Sequence, residues 1–379
     1  MQLLEGGNTT VQNTVNGKTY TGEKIDLHTI NLNTFRSEFM GLFQTLNDLF
    51  YKEYKRKLWK PEDLRDAVVF NGSSSFVMNS QYSEDEILKH KPLVGDIDIT
   101  IPAEELKPMF LLLRKYENKR FGRFTYKGTY RQNENAIGDQ ILTIFRLYLD
   151  ENTAINCQID FEGVDFKDGS PTEFARFGHS SSFEDAKENI KALHHKFLIQ
   201  AVITSVSARP DVLIATPAST PDNIKQVAWN KLKPAKALKF SVTNGMRHCL
   251  APMLDKNGKQ VYFEGLAVYK EIPTKESKYE KDVLTIFNTA FKGKGNIKDF
   301  HSFVGICRLI KQYCPKEQQK EILEHYFTTM FGPTAQKNEP QIEADIALKR
   351  SGLNYISKFL NLRVPREEGR ISAYIAKKS

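Results

Sequence analysis

The chain has 379 residues, 40% hydrophobic and 26% charged, with 54 Lys and Arg against 46 Asp and Glu for a net charge of +8. That length suits two domains or one large one in the composition range of globular proteins. No run approaches the ~20 apolar residues of a membrane-spanning helix, and the opening MQLLEGGNTT lacks the basic, apolar and small-residue zones of a signal peptide. Four scattered cysteines, Cys157, Cys249, Cys307 and Cys314, predict reduced thiols and a cytoplasmic location rather than a disulfide framework.

The charge is unevenly spread. From Lys231 onward there are 27 Lys and Arg against 15 Asp and Glu, while the first 230 residues carry 27 against 31. A basic C-terminal portion favours a polyanionic partner such as nucleic acid or polyphosphate, or serves as a solvated face.

Residues 1–32 are polar and turn-rich, and Asn16-Gly17 between strand-forming residues predicts a hairpin. Phe35, Phe39, Leu42, Phe43, Leu46, Leu49, Phe50 and Tyr54 recur at three- and four-residue steps, which predicts an amphipathic helix over 33–59 capped by Asn33. AVVF (67–70) reads as a short buried strand and DIDITI (96–101) as a second, ended by Pro102. A helix follows over 103–120, with Pro108 early in it, then strands in GRFTYKGTYR, QILTIFRLYL and INCQIDFEGVDF. SFEDAKENIKALHHKFLIQAVITSV reads as one long helix with a capped start in SSSFED.

ARPDVLIATPASTPDN (208–223), with three prolines, reads as a linker. Beyond it lie a hairpin around LDKNGKQVYFEGLAVY and helices near 279–291, 297–313, 316–331 and 340–360, with a last one from Glu367. The organisation is thus an N-terminal segment 1–32, an α/β or α+β domain 33–207, the linker, and a basic, mainly helical domain 224–379. There is no internal repeat.

The chemistry concentrates between Phe70 and Asp160. Alternate residues of a strand share a face, so Asp96, Asp98 and Thr100 point one way and Ile97, Ile99 and Ile101 the other. Two carboxylates ~7 Å apart on one face repel each other, and a hard divalent cation relieves that repulsion through oxygen ligands. Upstream, VVFNGSSS runs an apolar stretch into Gly72 and Ser73. Glycine lets the backbone turn tightly against a ligand, and Ser73 to Ser75 can cap a helix over SFVMNS whose amides would face an anion. A third carboxylate comes from INCQIDFEGV, where Asn156, Gln158 and Asp160 alternate with Ile155, Cys157 and Ile159. Glu162 and Asp165 are alternative donors.

Gly-Ser, then Asp-x-Asp, then a later strand aspartate resembles the DNA polymerase beta-like nucleotidyltransferase superfamily, which includes poly(A) polymerases and CCA-adding enzymes. The resemblance covers residues 65–165. It implies a nucleotidyltransferase-like mixed sheet flanked by helices, an α+β class, followed by a mainly helical domain. It also implies that Asp96 and Asp98 hold two Mg2+ ions, for which Mn2+ can substitute, with Asp160 as a further ligand and proton acceptor. Gly72, Ser73 and Ser74 would bind the nucleotide. The reaction would transfer NMP from an NTP to a hydroxyl acceptor, such as an RNA, tRNA or DNA end, and release pyrophosphate. One departure stands out: 22 residues separate Ser73 from Asp96, more than the family spacing. The surplus reads as a charged surface loop over SQYSEDEILKHKP (80–92). Clustered aspartates also suit a metal-dependent nuclease, and a non-catalytic nucleic-acid-binding protein is the remaining alternative.

Other features carry less. His194-His195 reads as one surface and one core residue, because helical neighbours diverge by about 100°. Cys307 and Cys314, two turns apart, read as core. Lys231, Lys233, Lys236, Lys239 and Arg247 in KLKPAKALKFSVTNGMRH are candidates for phosphate or acceptor contacts, or a solvated strand edge. PTEFARFGHSS (171–181) would form a cleft wall. There is no Walker, GxGxxG-after-strand or GxSxG pattern.

Overall fold

Apolar periodicity generates two separately compact units, Met1–Ala192 and Leu193–Ser379, of a computed structural model that describes residues 12–15, 18–130, 138–179, 181–209, 212–215, 235–263, 265–331 and 342–363. In the first unit β1 (Gln12–Val15) and β2 (Lys18–Thr21) pair antiparallel, Val15 opposite Lys18; Asn16 and Gly17 lie outside the described residues. β3 (Ile25–Asp26) precedes α1 (Leu32–Tyr54). The cap of α1 is Asn31 rather than Asn33; its side chain accepts from the Asn33 and Thr34 amides at 3.0 and 3.1 Å. The helix starts early because Leu32, fully buried, extends the apolar stripe of Phe35, Phe39, Leu42, Phe43, Leu46 and Phe50.

After α2 (Pro61–Arg65), the expected strand 67–70 is a turn in which Ala67 has φ 58°, and only Phe70 bridges a strand residue, Ile99. Val68 N bonds back to Asp63 O at 2.8 Å, which closes the turn and prevents an extended run. α3 (Ser74–Val77) and α4 (Glu84–His90) follow. The expected surface loop 80–92 therefore contains a helix, because Ser83 and Glu86 form a reciprocal capping box at its start.

β4 (Leu93–Val94) pairs with β3 and leads into β5 (Asp96–Pro102). α5 (Leu106–Lys115) tolerates Pro108 in its first turn, where the amide has no intrahelical partner to lose. β6 (Arg120–Phe121), β7 (Phe124–Thr129), β8 (Gln140–Tyr148) and β9 (Ala154–Val164) complete a mixed sheet of order β5-β9-β8-β7-β6, with β5 and β9 parallel and the other pairs antiparallel. α5 packs on the sheet, and α1 reaches it through Phe39 against Phe124, ring centroids 5.0 Å apart. The unit is α+β, a mixed sheet flanked by helices. β10 (Phe166–Lys167), β11 (Ser170–Pro171), α6 (Glu173–His179) and α7 (Phe183–Lys187) close it. Ser182 caps α7.

The expected long helix is broken. Asn189 adopts φ 56°, and the amides of Glu188 and Ile190 both bond back to Asp185 O, so α7 ends before α8 (Ala192–Val206) begins. The division between units falls just past this break, after Ala192 at the start of α8, ahead of the segment 208–223. The described part of that segment holds β12 (Ala208–Arg209) and β13 (Val212–Ile214); 216–223 lies outside the described residues.

The second unit contains β14 (Ala235–Lys236), β15 (Leu238–Ser241), β16 (Gly245–His248), β17 (Leu250–Pro252), β18 (Tyr262–Phe263), β19 (Leu266–Glu271) and β20 (Tyr279–Glu280). These form β12-β14, β15-β16-β20 and a β13-β19-β17 sheet in which β18 pairs with β19 as the expected hairpin. α9 (Val283–Phe291), α10 (Phe303–Tyr313), α11 (Lys316–Met330) and α12 (Ile342–Leu360) supply the helical remainder; the helix expected from Glu367 lies outside the described residues. His194 and His195 are both buried, not one in and one out, because α8 is apolar on nearly every side and each ring finds a partner in this unit. All four cysteines are free and buried. No helix among the described residues is long and apolar enough to cross a membrane.

Candidate metal centre

Ile97, Ile99 and Ile101 anchor one face of β5 in the core and leave Asp96 and Asp98 half-buried on the other. β9 runs parallel beside it in a register that sets Asp98 against Asp160 and Asp96 against Gln158. Neighbouring strands lie ~4.8 Å apart, so side chains from the two strands share one small volume. Asp96, Asp98 and Asp160 each place a carboxylate oxygen within 4.8 Å of the others.

Burial pushes the Asp160 carboxyl up to about 8; the amide of Gln158 opposes this, and the Asp96 and Glu162 carboxylates add to it. Asp96 is also raised, first by burial and then by Glu162, with Lys91 and Lys191 acting in the opposite sense. Three carboxylates this close cannot all ionise comfortably in a buried place. The donor set is oxygen only, which fits a hard divalent cation. Two further observations point to a missing partner: Asn71 Oδ1 and Gln158 Oε1 are buried without a hydrogen-bond partner among the described residues.

The Asn71–Ser75 turn holds the centre from the side. Asn71 N donates to Asp98 O at 3.0 Å, and Asp98 N donates to the buried Ser74 hydroxyl at 3.1 Å. Gly72 has φ 50°, and a Cβ there would lie 2.1 Å from Asp98 Oδ2. Glycine is required both for that conformation and for the close approach. Its amide donates to His179 O, and its carbonyl accepts from Ser181 N and the Ser75 hydroxyl. Ser74, an expected nucleotide contact, is buried and helps to hold Asp98. Ser73, half-buried ahead of α3, makes no side-chain capping bond.

Glu162, weighed as an alternative third carboxylate, sits two residues beyond Asp160 on the same strand. It accepts a short hydrogen bond from Asn71 Nδ2 and lies 3.6 Å from His179 Nδ1. It ties β9 to the Asn71 turn and to the end of α6, so the 171–181 segment does adjoin the centre. Asp165 is not in the carboxylate cluster; its carbonyl accepts from Thr172 N. Gln158 went unassigned in the sequence, although its place on the polar face of a core strand, two residues before Asp160, was the signal for it.

The basic candidates belong to the second unit. Lys231 and Lys233 lie outside the described residues, and Lys236 ends β14. Exposed Lys239 faces Arg247 across β15 and β16, and Arg247 Nη1 donates to Ser277 Oγ at 2.9 Å. No protein-family model matches the chain, and no curated protein or solved structure matches it.

Proposed function

We propose that the first unit is a Mg2+-dependent nucleotidyltransferase of the DNA polymerase beta-like kind, transferring NMP from an NTP to a hydroxyl acceptor. The observation that carries this reading is the meeting of Asp96, Asp98 and Asp160 from two parallel strands within 4.8 Å, beside the Gly72 turn. Asp96, Asp98 and Asp160 would hold the Mg2+, with Mn2+ as a substitute. Bound cations of this type neutralise the carboxylates, screen a triphosphate and make a hydroxyl more acidic.

The chain's own groups then do the following. Gly72 lies against Asp98, and Gly72 and Ser73 would contact the β- and γ-phosphates. Asp98 is held at its amide by Ser74 and at its carbonyl by Asn71, so its carboxylate is placed before substrate arrives. The acceptor hydroxyl oxygen forms the new bond to the α-phosphorus while the bond from that phosphorus to the bridging oxygen breaks. Pyrophosphate leaves with that electron pair, and the hydroxyl proton passes to an Asp160 oxygen. Lys239 and Arg247 supply positive charge in the second unit, which suits a nucleic-acid acceptor.

The test is incubation of the full chain with each labelled NTP, Mg2+ and total RNA. Label transfer that Asp98→Asn abolishes is the expected result. RNA shortened without NTP would instead identify a nuclease, and a mobility shift without transfer a binding protein; either outcome ends the transferase reading.

A further inference from the structure

Gln158 is 4% exposed on β9 and stands opposite Asp96 in the strand register. Its Nε2 donates to both oxygens of Asp160, at 3.1 Å to Oδ1 and 2.9 Å to Oδ2. The near-equal distances put the amide nitrogen in front of the carboxylate, between its two oxygens. A cation chelated by both oxygens of one carboxylate takes that same place. The other end of the amide, Oε1, is a buried acceptor with no partner among the described residues.

We propose that Gln158 is a specificity-determining residue of the metal centre, restricting Asp160 to single-oxygen coordination so that the site takes Mg2+ or Mn2+ in preference to Ca2+. The inference rests on the metal-centre reading above. Mg2+ demands near-octahedral geometry at about 2.0–2.1 Å, whereas Ca2+ takes about six to eight oxygens at roughly 2.3–2.6 Å and readily uses both oxygens of a carboxylate. Chelation by Asp160 would require the buried amide to give up both of its hydrogen bonds. Coordination through one oxygen leaves the amide in place. It also leaves the cation with bound water, a donor of the kind that Oε1 lacks. Partners outside the ligand shell commonly orient the ligands in this way.

The test is titration of the full chain with Mn2+, followed by electron paramagnetic resonance, with Mg2+ and Ca2+ as competitors, in the wild type and in Gln158→Met. Methionine keeps the length and removes both donor and acceptor. The competition ratio is expected to move about tenfold toward Ca2+ in the variant. An unchanged ratio in a variant that circular dichroism shows to be folded overturns the role of Gln158 and leaves the metal centre standing. A wild-type chain that binds no Mn2+ removes the centre itself. Because a buried substitution can unfold the chain, the wild type is also crystallised and soaked with each cation. One Asp160 oxygen on Mg2+, with the Gln158 amide still bonded, is expected; both oxygens on Mg2+ overturn the proposal.

Discussion

Each unit buries a polar cluster, and the two are built on opposite terms. In the second unit His194 Nδ1 meets the Tyr326 hydroxyl, its Nε2 lies 2.9 Å from Leu348 O, and His195 Nε2 lies 2.9 Å from Phe300 O. Gly352 closes on the His194 ring so tightly that a Cβ would lie 2.3 Å from Nδ1. In the first unit the Asp96–Asp98–Asp160 cluster keeps carboxylates against one another, with two orphaned acceptors nearby. The histidine cluster is satisfied from within and serves the fold. The aspartate cluster sets carboxylates against one another, a repulsion that a bound cation would relieve. Burial of polar groups alone therefore says little; whether they are satisfied distinguishes a core from a site.

The comparison can be broken at its strongest point first. Asp98→Asn is expected to abolish transfer and lower Mn2+ affinity by more than the ~10–100-fold typical of outer-shell changes. The same variant should keep or slightly raise the melting temperature of the metal-free chain, since it removes one repelling charge. Marked destabilisation would show that the cluster supports the fold after all.

Gly72→Ala comes next. It combines a left-handed conformation, unfavourable for alanine by about 1–2 kcal/mol, with a direct collision at Asp98 Oδ2. Loss of at least tenfold in Mn2+ affinity is expected, read by paramagnetic resonance alongside the denaturation midpoint.

In the second unit His194→Ala should do the reverse. It should destabilise by about 2–4 kcal/mol, because Tyr326 and Leu348 O lose a buried partner, and leave Mn2+ affinity unchanged. A shift in metal affinity would dissolve the distinction between the clusters.

The pH dependence has two limbs whose signs oppose. Asp160, raised by burial to about 8 against an ordinary value near ~4, holds its proton more tightly folded than unfolded. Its contribution to the stability of the metal-free chain is complete below about pH 4 and is lost as pH rises toward 8. His195, lowered by burial to about 4 from about 6.5, contributes fully above about pH 6.5 and loses that contribution as pH falls toward 4. Urea midpoints across pH should show both limbs. Asp160→Asn or saturating Mg2+ should flatten the alkaline one, and His195→Asn the acidic one.

Much of the site was legible because strand alternation is local. The isoleucines of β5 and the apolar positions of β9 dictated which side of each strand carried Asp96, Asp98 and Asp160. Local chemistry misled where it was over-extended. Continuous helical periodicity across 182–206 hid the left-handed Asn189. Charge and a terminal proline suggested a loop over 80–92 although the Ser83–Glu86 box starts a helix there.

By itself the sequence determined strands β5 and β9, their apolar faces and the three carboxylates, since each depends on residues only a few positions apart. The tertiary structure alone decided that β9, rather than β8 or β7, pairs with β5, that its register sets Asp160 beside Asp98, and that Gln158 grips Asp160 while Gly72 presses on Asp98. The strand pairing joins Asp98 to Asp160, 62 positions apart, and the turn brings Gly72 onto Asp98, 26 positions away. They follow from how all the apolar faces pack at once, which no local pattern encodes.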